Sequence, residues 1–109
     1  MSREDDAIIA EWLGWTDCRK RAQGEWGGFT PDNYGAIIPH FTTSDADAIS
    51  LLPVLVERGY NVSVSDYYLR SWVACIEQDD MDNINSPQSP TIAAAISGAV
   101  LELIGREGK

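Results

Sequence analysis

The sequence is poor in the residues from which small catalytic and metal sites are built. It has one histidine, His40, and two cysteines, Cys18 and Cys75, in 109 residues. These three lie far apart, without the paired ligand spacing that a structural zinc site needs. Two cysteines make no disulfide framework, and without an export signal both are expected as reduced thiols. Basic residues are also few: 8 against 17 acidic ones, a formal charge of -9. Such a field repels nucleic-acid phosphates and anionic membranes, so neither is expected as a partner. Long apolar runs are missing too. The stretch Ile92-Ala93-Ala94-Ala95-Ile96 falls far short of the roughly 20 residues of a membrane helix. The first residues, Met1-Ser2-Arg3-Glu4-Asp5-Asp6, are acidic and lack an apolar h-region, so they do not read as a signal peptide. A soluble, intracellular protein is expected.

What is present is the ordinary material of a globular domain. Hydrophobic residues make up 44% and charged residues 23% of the chain, enough apolar material to rule out disorder of the whole chain. The length suits a single domain over residues 1–109 that buries a core without staples. A first helix is expected from Arg3 to Leu13. Ser2 and Asp5 are spaced as a capping box, Ile8, Ile9, Trp12 and Leu13 form an apolar face, and Gly14 is the stop. A second helix is expected from Ser44 to Arg58, with Ala48, Leu51, Leu52, Leu55 and Val56 as its buried stripe and Gly59 as its end. Pro53 conflicts with that reading: it removes a helical hydrogen bond and clashes with the preceding turn, so the helix must kink or start later.

Two strands follow. Tyr60, Val62 and Val64 alternate with Asn61, Ser63 and Ser65 in a strand from Tyr60 to Tyr67. A second strand from Arg70 to Glu77 sets Trp72, Ala74 and Ile76 against Val73 and Cys75, and the two form a hairpin. A third helix is expected with Ser89 as cap, Pro90 at its first position, a stripe of Ile92, Ile96, Ala99, Val100 and Leu103, and Gly105 at its end. Between these elements lie an irregular segment, residues 15–41, punctuated by glycine and proline, and an acidic loop, residues 77–90. The fold class is therefore α+β, with helices packed in layers on a small antiparallel sheet in the manner of an α/β/α sandwich. A two-stranded sheet is marginal alone. A third strand is expected from within Trp26 to Ile38, or from a second subunit in a homo-oligomer.

Several segments together resemble the phage ABA sandwich domain family. They are Leu13-Gly14-Trp15 closing the first helix, Pro39-His40-Phe41-Thr42-Thr43-Ser44-Asp45 opening the second, Arg58-Gly59-Tyr60 entering the hairpin, and Ser89-Pro90-Thr91-Ile92-Ala93-Ala94 opening the last helix. The resemblance implies a phage or prophage origin, a sandwich of helices around a sheet, and a place in the cytoplasm of an infected host cell. It implies no enzymatic activity and carries over no catalytic residues.

The candidate sites are correspondingly few. His40 follows a proline in a loop, and nothing in its spacing to Cys18 or to a serine requires a nucleophile–base pair. Asp79-Asp80-Met81-Asp82-Asn83 offers oxygen ligands but lacks the glycine and terminal glutamate of a calcium loop. Gly24-Glu25-Trp26-Gly27-Gly28 lacks the lysine and the strand–turn–helix frame of a phosphate loop, and a tight turn explains it better. No catalytic residue, metal or cofactor is assigned. The acidic groups Glu77, Asp79, Asp80 and Asp82 cluster in one loop, and Trp15 and Trp26 lie outside the helical stripes. Trp12 and Trp72 are assigned to the core. Acidic groups steer association and tryptophans anchor interfaces. The first expectation is a non-catalytic protein that binds a basic surface of a host protein, inhibiting a component of antiviral defence. The alternative is a binder that sequesters a small ligand or nucleotide signal, with Arg19, Lys20, Arg21 or Arg70 gathered around an aromatic pocket at Trp26.

Overall fold

The structure, a computed structural model, describes residues 2–67 and 71–107. Helix α1 spans Arg3–Trp12. Its start follows the capping signal, since the Ser2 backbone N–H donates to Asp5 Oδ2 at 3.1 Å. Its buried face is Asp6, Ala7, Ile9 and Ala10; Ile8, assigned to that face from the sequence, is 42% exposed. The apolar stripe is one position out of phase because a carboxylate, Asp6, takes part in it. Asp6 is fully buried and accepts from Arg3 Nη1 at 2.5 Å and from the Thr42 backbone N–H at 2.8 Å. Arg3 also donates to the carbonyls of Ile38 and Pro39. This network ties the start of α1 to residues 38–42.

The segment expected to be irregular, residues 15–41, contains an antiparallel sheet: β1 Thr16–Lys20, β2 Trp26–Phe29 and β3 Gly35–Ile37, in the order β1-β2-β3. Gly24, at φ +89°, turns the chain from β1 to β2, and Asn33, at φ +67°, turns it from β2 to β3. Glycines that punctuate the sequence also build its structure. Gly27 and Gly28 are buried inside β2. A bulge between Thr16 and Arg19 interrupts the first pairing, with Asp17 at φ +53°.

The second expected helix is two helices, α2 Asp45–Ile49 and α3 Leu51–Glu57, meeting at Ser50. Pro53 is the third residue of α3, where a proline costs no internal helical hydrogen bond. Ser44 Oγ accepts from the Asp47 backbone N–H at 3.3 Å and caps α2. The restart changes which residues face inward: Leu51 and Leu55 are fully buried, whereas Val56 is 62% exposed.

The second sheet runs β4 Asn61–Tyr67, β5 Ser71–Gln78 and β6 Met81–Asn85, all antiparallel in that order. Its third strand comes from the expected acidic loop, not from Trp26 to Ile38 and not from another subunit. Ile84 is fully buried opposite Ile76, and this pairing holds β6 to β5. Ala74 and Ile76 of β5 face the core, while Val73 and Cys75 on the other face are half-buried. Helix α4, Ile92–Glu107, covers the inner face and also packs against α1 and α2. Being surrounded, it buries Ala93, Ala95, Ile96, Ser97, Ala99, Val100 and Leu103. It begins later than Ser89 suggested. Thr91 Oγ1 accepts from the Ala94 N–H at 3.0 Å, and Asp45 Oδ1 from the Ala93 N–H at 2.9 Å. Ser89 instead exchanges both backbone hydrogen bonds with Trp72, at 2.8 and 3.0 Å. The fold is α+β, with helices packed on antiparallel sheet, and its strands divide into two small sheets. No helix among the described residues is long and apolar enough to cross a membrane.

Candidate functional site

Glu77, Asp79, Asp80 and Asp82 stand at the β5–β6 connection, all exposed. Gln78 pairs with Met81, so Asp79 and Asp80 form a two-residue hairpin turn. The carboxylates are held on a tight turn and not on a long loop. The Asp82 contact to the body of the fold is through its backbone: Arg106 Nη1 donates to the Asp82 carbonyl at 2.9 Å. Changing Asp79, Asp80 and Asp82 together to Asn is therefore expected to alter stability by no more than about 0.5 kcal/mol. In a urea titration the midpoint should stay in place. Against a basic partner, the same variant should associate more slowly and with weaker salt dependence, read by stopped-flow at several salt concentrations.

The first sheet builds a different surface. Gly27 lies opposite Arg19 on β1 and Ile37 on β3, and Phe29 lies opposite Gly35. Side chains of opposed residues share a face. One face thus carries Arg19, Arg21, Phe29 and Ile37 around the bare backbones of Gly27 and Gly35. This face looks outward. Phe29 is 39%, Ile37 59% and the neighbouring Tyr34 61% exposed. Arg21, Trp26, Phe29 and Ile37 line an open cavity of about 540 Å³ with the glycines among its walls. The guanidinium of Arg21 is fixed there: it donates to the Asp17 carboxylate at 3.3 Å, to the Asp17 carbonyl at 2.8 Å and to the Gly27 carbonyl at 3.2 Å. Arg19 shares the Asp17 carboxylate at 3.3 Å.

Of the alternative ligand site, the structure brings Arg21 and Trp26 to one cavity, sets Arg19 beside Arg21 on Asp17, and places Lys20 opposite Trp26 in the β1–β2 ladder; Arg70 lies outside the described residues. Trp26 and Trp15 are both half-buried and pack against the core, offering less free surface than Tyr34. Trp12 and Trp72, assigned to the core, are also only half-buried. Trp12 forms a latch instead. Its Nε1–H donates to Glu107 at 2.8 Å, Tyr60 Oη–H donates to the same carboxylate at 2.9 Å, and Arg58 stacks 4.0 Å from the Trp12 ring centroid. Burial, and then the bond to Glu107, raises the Tyr60 hydroxyl above its ordinary pKa.

Cys18 and Cys75 are free and half-buried. Both thiols are pushed up from the ordinary cysteine value, Cys18 by burial and then by Glu11 and Asp17, Cys75 by burial and then by its hydrogen bond to Glu77. A raised pKa means less thiolate at neutral pH. Both are expected to react with iodoacetamide more slowly than a free thiol at pH 7.5, with rates that keep rising above the usual thiol range. Glu77→Gln should speed the labelling of Cys75 alone, read by peptide mass spectrometry. Among the described residues, no group of three or more His, Cys, Asp or Glu side chains is placed to hold a metal ion.

Phe29, Tyr34 and Ile37 were not singled out from the sequence. Their signal is weak because strands of three to five residues with three glycines among them show no apolar alternation, and the outward face emerges only from the register. No protein-family model, curated protein or solved structure matches this chain.

Proposed function

We propose that this chain is a non-catalytic binding protein that contacts a protein partner through the outer face of the β1-β2-β3 sheet. The observation that carries this reading is the exposure of Phe29, Tyr34 and Ile37, at 39%, 61% and 59%, beside an open cavity with glycine backbone in its wall. Aromatic and aliphatic groups around a concavity are what interface anchors require, and ion-paired Arg19 and Arg21 supply a polar rim. The acidic turn at Asp79 and Asp80 contributes long-range steering and not contact area. The resemblance to a phage family and the acidic charge support a host protein as the partner, one acting in antiviral defence.

The test compares baits. Wild-type protein, Ile37→Asp, Phe29→Ser and the Asn triple variant of the acidic turn are each used to capture partners from host lysate, with circular dichroism as the check of fold. The proposal expects a protein held by wild type, lost with Ile37→Asp and Phe29→Ser, and kept at equilibrium in the triple variant. A protein retained by both sheet variants overturns the assignment of this face. A second copy of this chain is the alternative occupant of the same face. Each sheet finds its three strands within the chain, so no second subunit is needed to supply one, while the open edges of both sheets remain. Light scattering of wild type and Ile37→Asp reports it directly.

A further inference from the structure

We propose a second site, adjoining the first at Glu25 and Trp26: a pocket for a small aromatic phosphate, of the size and chemistry of a nucleoside monophosphate, at the Lys20–Trp26 pair. Lys20 and Trp26 lie directly opposite one another in the β1–β2 ladder and so project from the same face. They line a cavity of about 390 Å³, together with Arg3, His40, Gly24 and Glu25. That volume lies within the usual range for small-ligand sites.

An unpaired cation points to an anion. Arg3, Lys20 and the only histidine line this cavity with Glu25; Arg3 is already ion-paired with the buried Asp6, so Lys20 is the cation left free. The other cations described are engaged. Arg19 and Arg21 share Asp17, Arg106 pairs with Glu102, and Arg58 stacks on Trp12. Lys20 is the one lysine or arginine among the described residues whose side chain has no ion pair, hydrogen bond or ring contact. Arg3 is positioned in advance by Asp6 and the carbonyls of Ile38 and Pro39. Those bonds occupy three of the five N–H donors of a guanidinium, and the side chain is 25% exposed. The His40 backbone is likewise pinned, its N–H donating to Asp47 at 2.8 Å, while its ring makes no hydrogen bond. A held arginine, an unpaired lysine and an imidazole are a phosphate-recognising set. Trp26 adds the flat wall on which a base stacks.

His40 makes the test direct, because a single histidine gives one unambiguous pair of ring resonances. AMP is titrated into the full chain while the His40 ring signals are followed by NMR. Adenosine and ribose 5-phosphate are run as arms that separate the ring from the phosphate. The expected result is a saturable shift with AMP, a weaker one with ribose 5-phosphate and none with adenosine at equal concentration. Lys20→Gln and Trp26→Leu should each weaken AMP binding about tenfold or more. Lys20 is exposed, so the Gln variant should keep its fold, checked by its melt. An AMP response that is absent at millimolar concentration, or that is unchanged in Lys20→Gln, overturns the proposal. A response equal with ribose 5-phosphate and AMP reduces it to a phosphate site and removes Trp26 from it.

Discussion

Asp6→Ala is expected to lower the stability of the fold by about 3 kcal/mol. Asp6 is fully buried, and its carboxylate is the acceptor for both Arg3 and the buried Thr42 backbone N–H. Alanine removes both acceptors at once. The Thr42 donor is then left without a partner away from water, and Arg3 loses the counter-charge that holds it. Arg3 keeps some access to solvent, so its part of the loss is modest and the Thr42 donor and the vacated volume account for most of it. For a chain of this length the melting temperature should fall by about 13 °C. Arg3→Met alone should cost at least as much, since it leaves the fully buried Asp6 carboxylate without a counter-charge. The double variant should fall short of the sum, because the two residues share one network. A melting temperature for Asp6→Ala within 2 or so degrees of wild type, on the order of 0.5 kcal/mol, would falsify the network's role in fastening α1 to residues 38–42. The same fastening supports the proposed phosphate pocket, since Arg3 is one of its walls.

Legibility in the sequence followed side-chain periodicity. The β4–β5 hairpin and the stripe of α4 could be read because Val62, Val64, Ala74 and Ile76, and Ile96, Ala99, Val100 and Leu103, repeat at the periods of a strand and of a helix. The restart at Ser50 was half-visible as the conflict at Pro53. Two features were hidden for a common reason. In β2 the residues between Trp26 and Phe29 are glycines, and in β6 the apolar pattern is reduced to Met81 and Ile84 among Asp82, Asn83 and Asn85. A strand whose partners supply most of the burial leaves little periodicity of its own. The candidate surface depends on that hidden sheet. Arg21 and Trp26 could be named from composition, but Phe29, Tyr34 and Ile37 require knowledge of which glycine faces outward.

The second large effect concerns that sheet. Gly28→Ala should destabilise the protein by about 2 kcal/mol, and Gly28→Val by more. Gly28 is buried, and a Cβ on it would stand 2.9 Å from Cys18 Sγ, 3.0 Å from the Thr16 carbonyl oxygen and 3.3 Å from Cys18 Cα. Two of those three neighbours are backbone, so the relief must come from moving β1 or β2 and not from a rotamer change. Cys18→Ala removes the sulfur but leaves the Thr16 oxygen in place. The Cys18→Ala, Gly28→Ala double variant should therefore recover only part of the loss measured against Cys18→Ala. Gly35→Ala is the contrast. Its added carbon would meet only Phe29 Cε1 at 3.8 Å, an ordinary contact on the exposed face, and its cost should stay within about 1 kcal/mol. Urea unfolding of the five variants gives the comparison. Unchanged stability in Gly28→Ala would mean that β1 and β2 approach less closely than this fold requires. A cost that appears as predicted has a functional corollary. Shifting β2 away from β1 displaces Phe29 and widens the Lys20–Trp26 pair, so Gly28→Ala should weaken AMP binding without touching a single residue of that pocket.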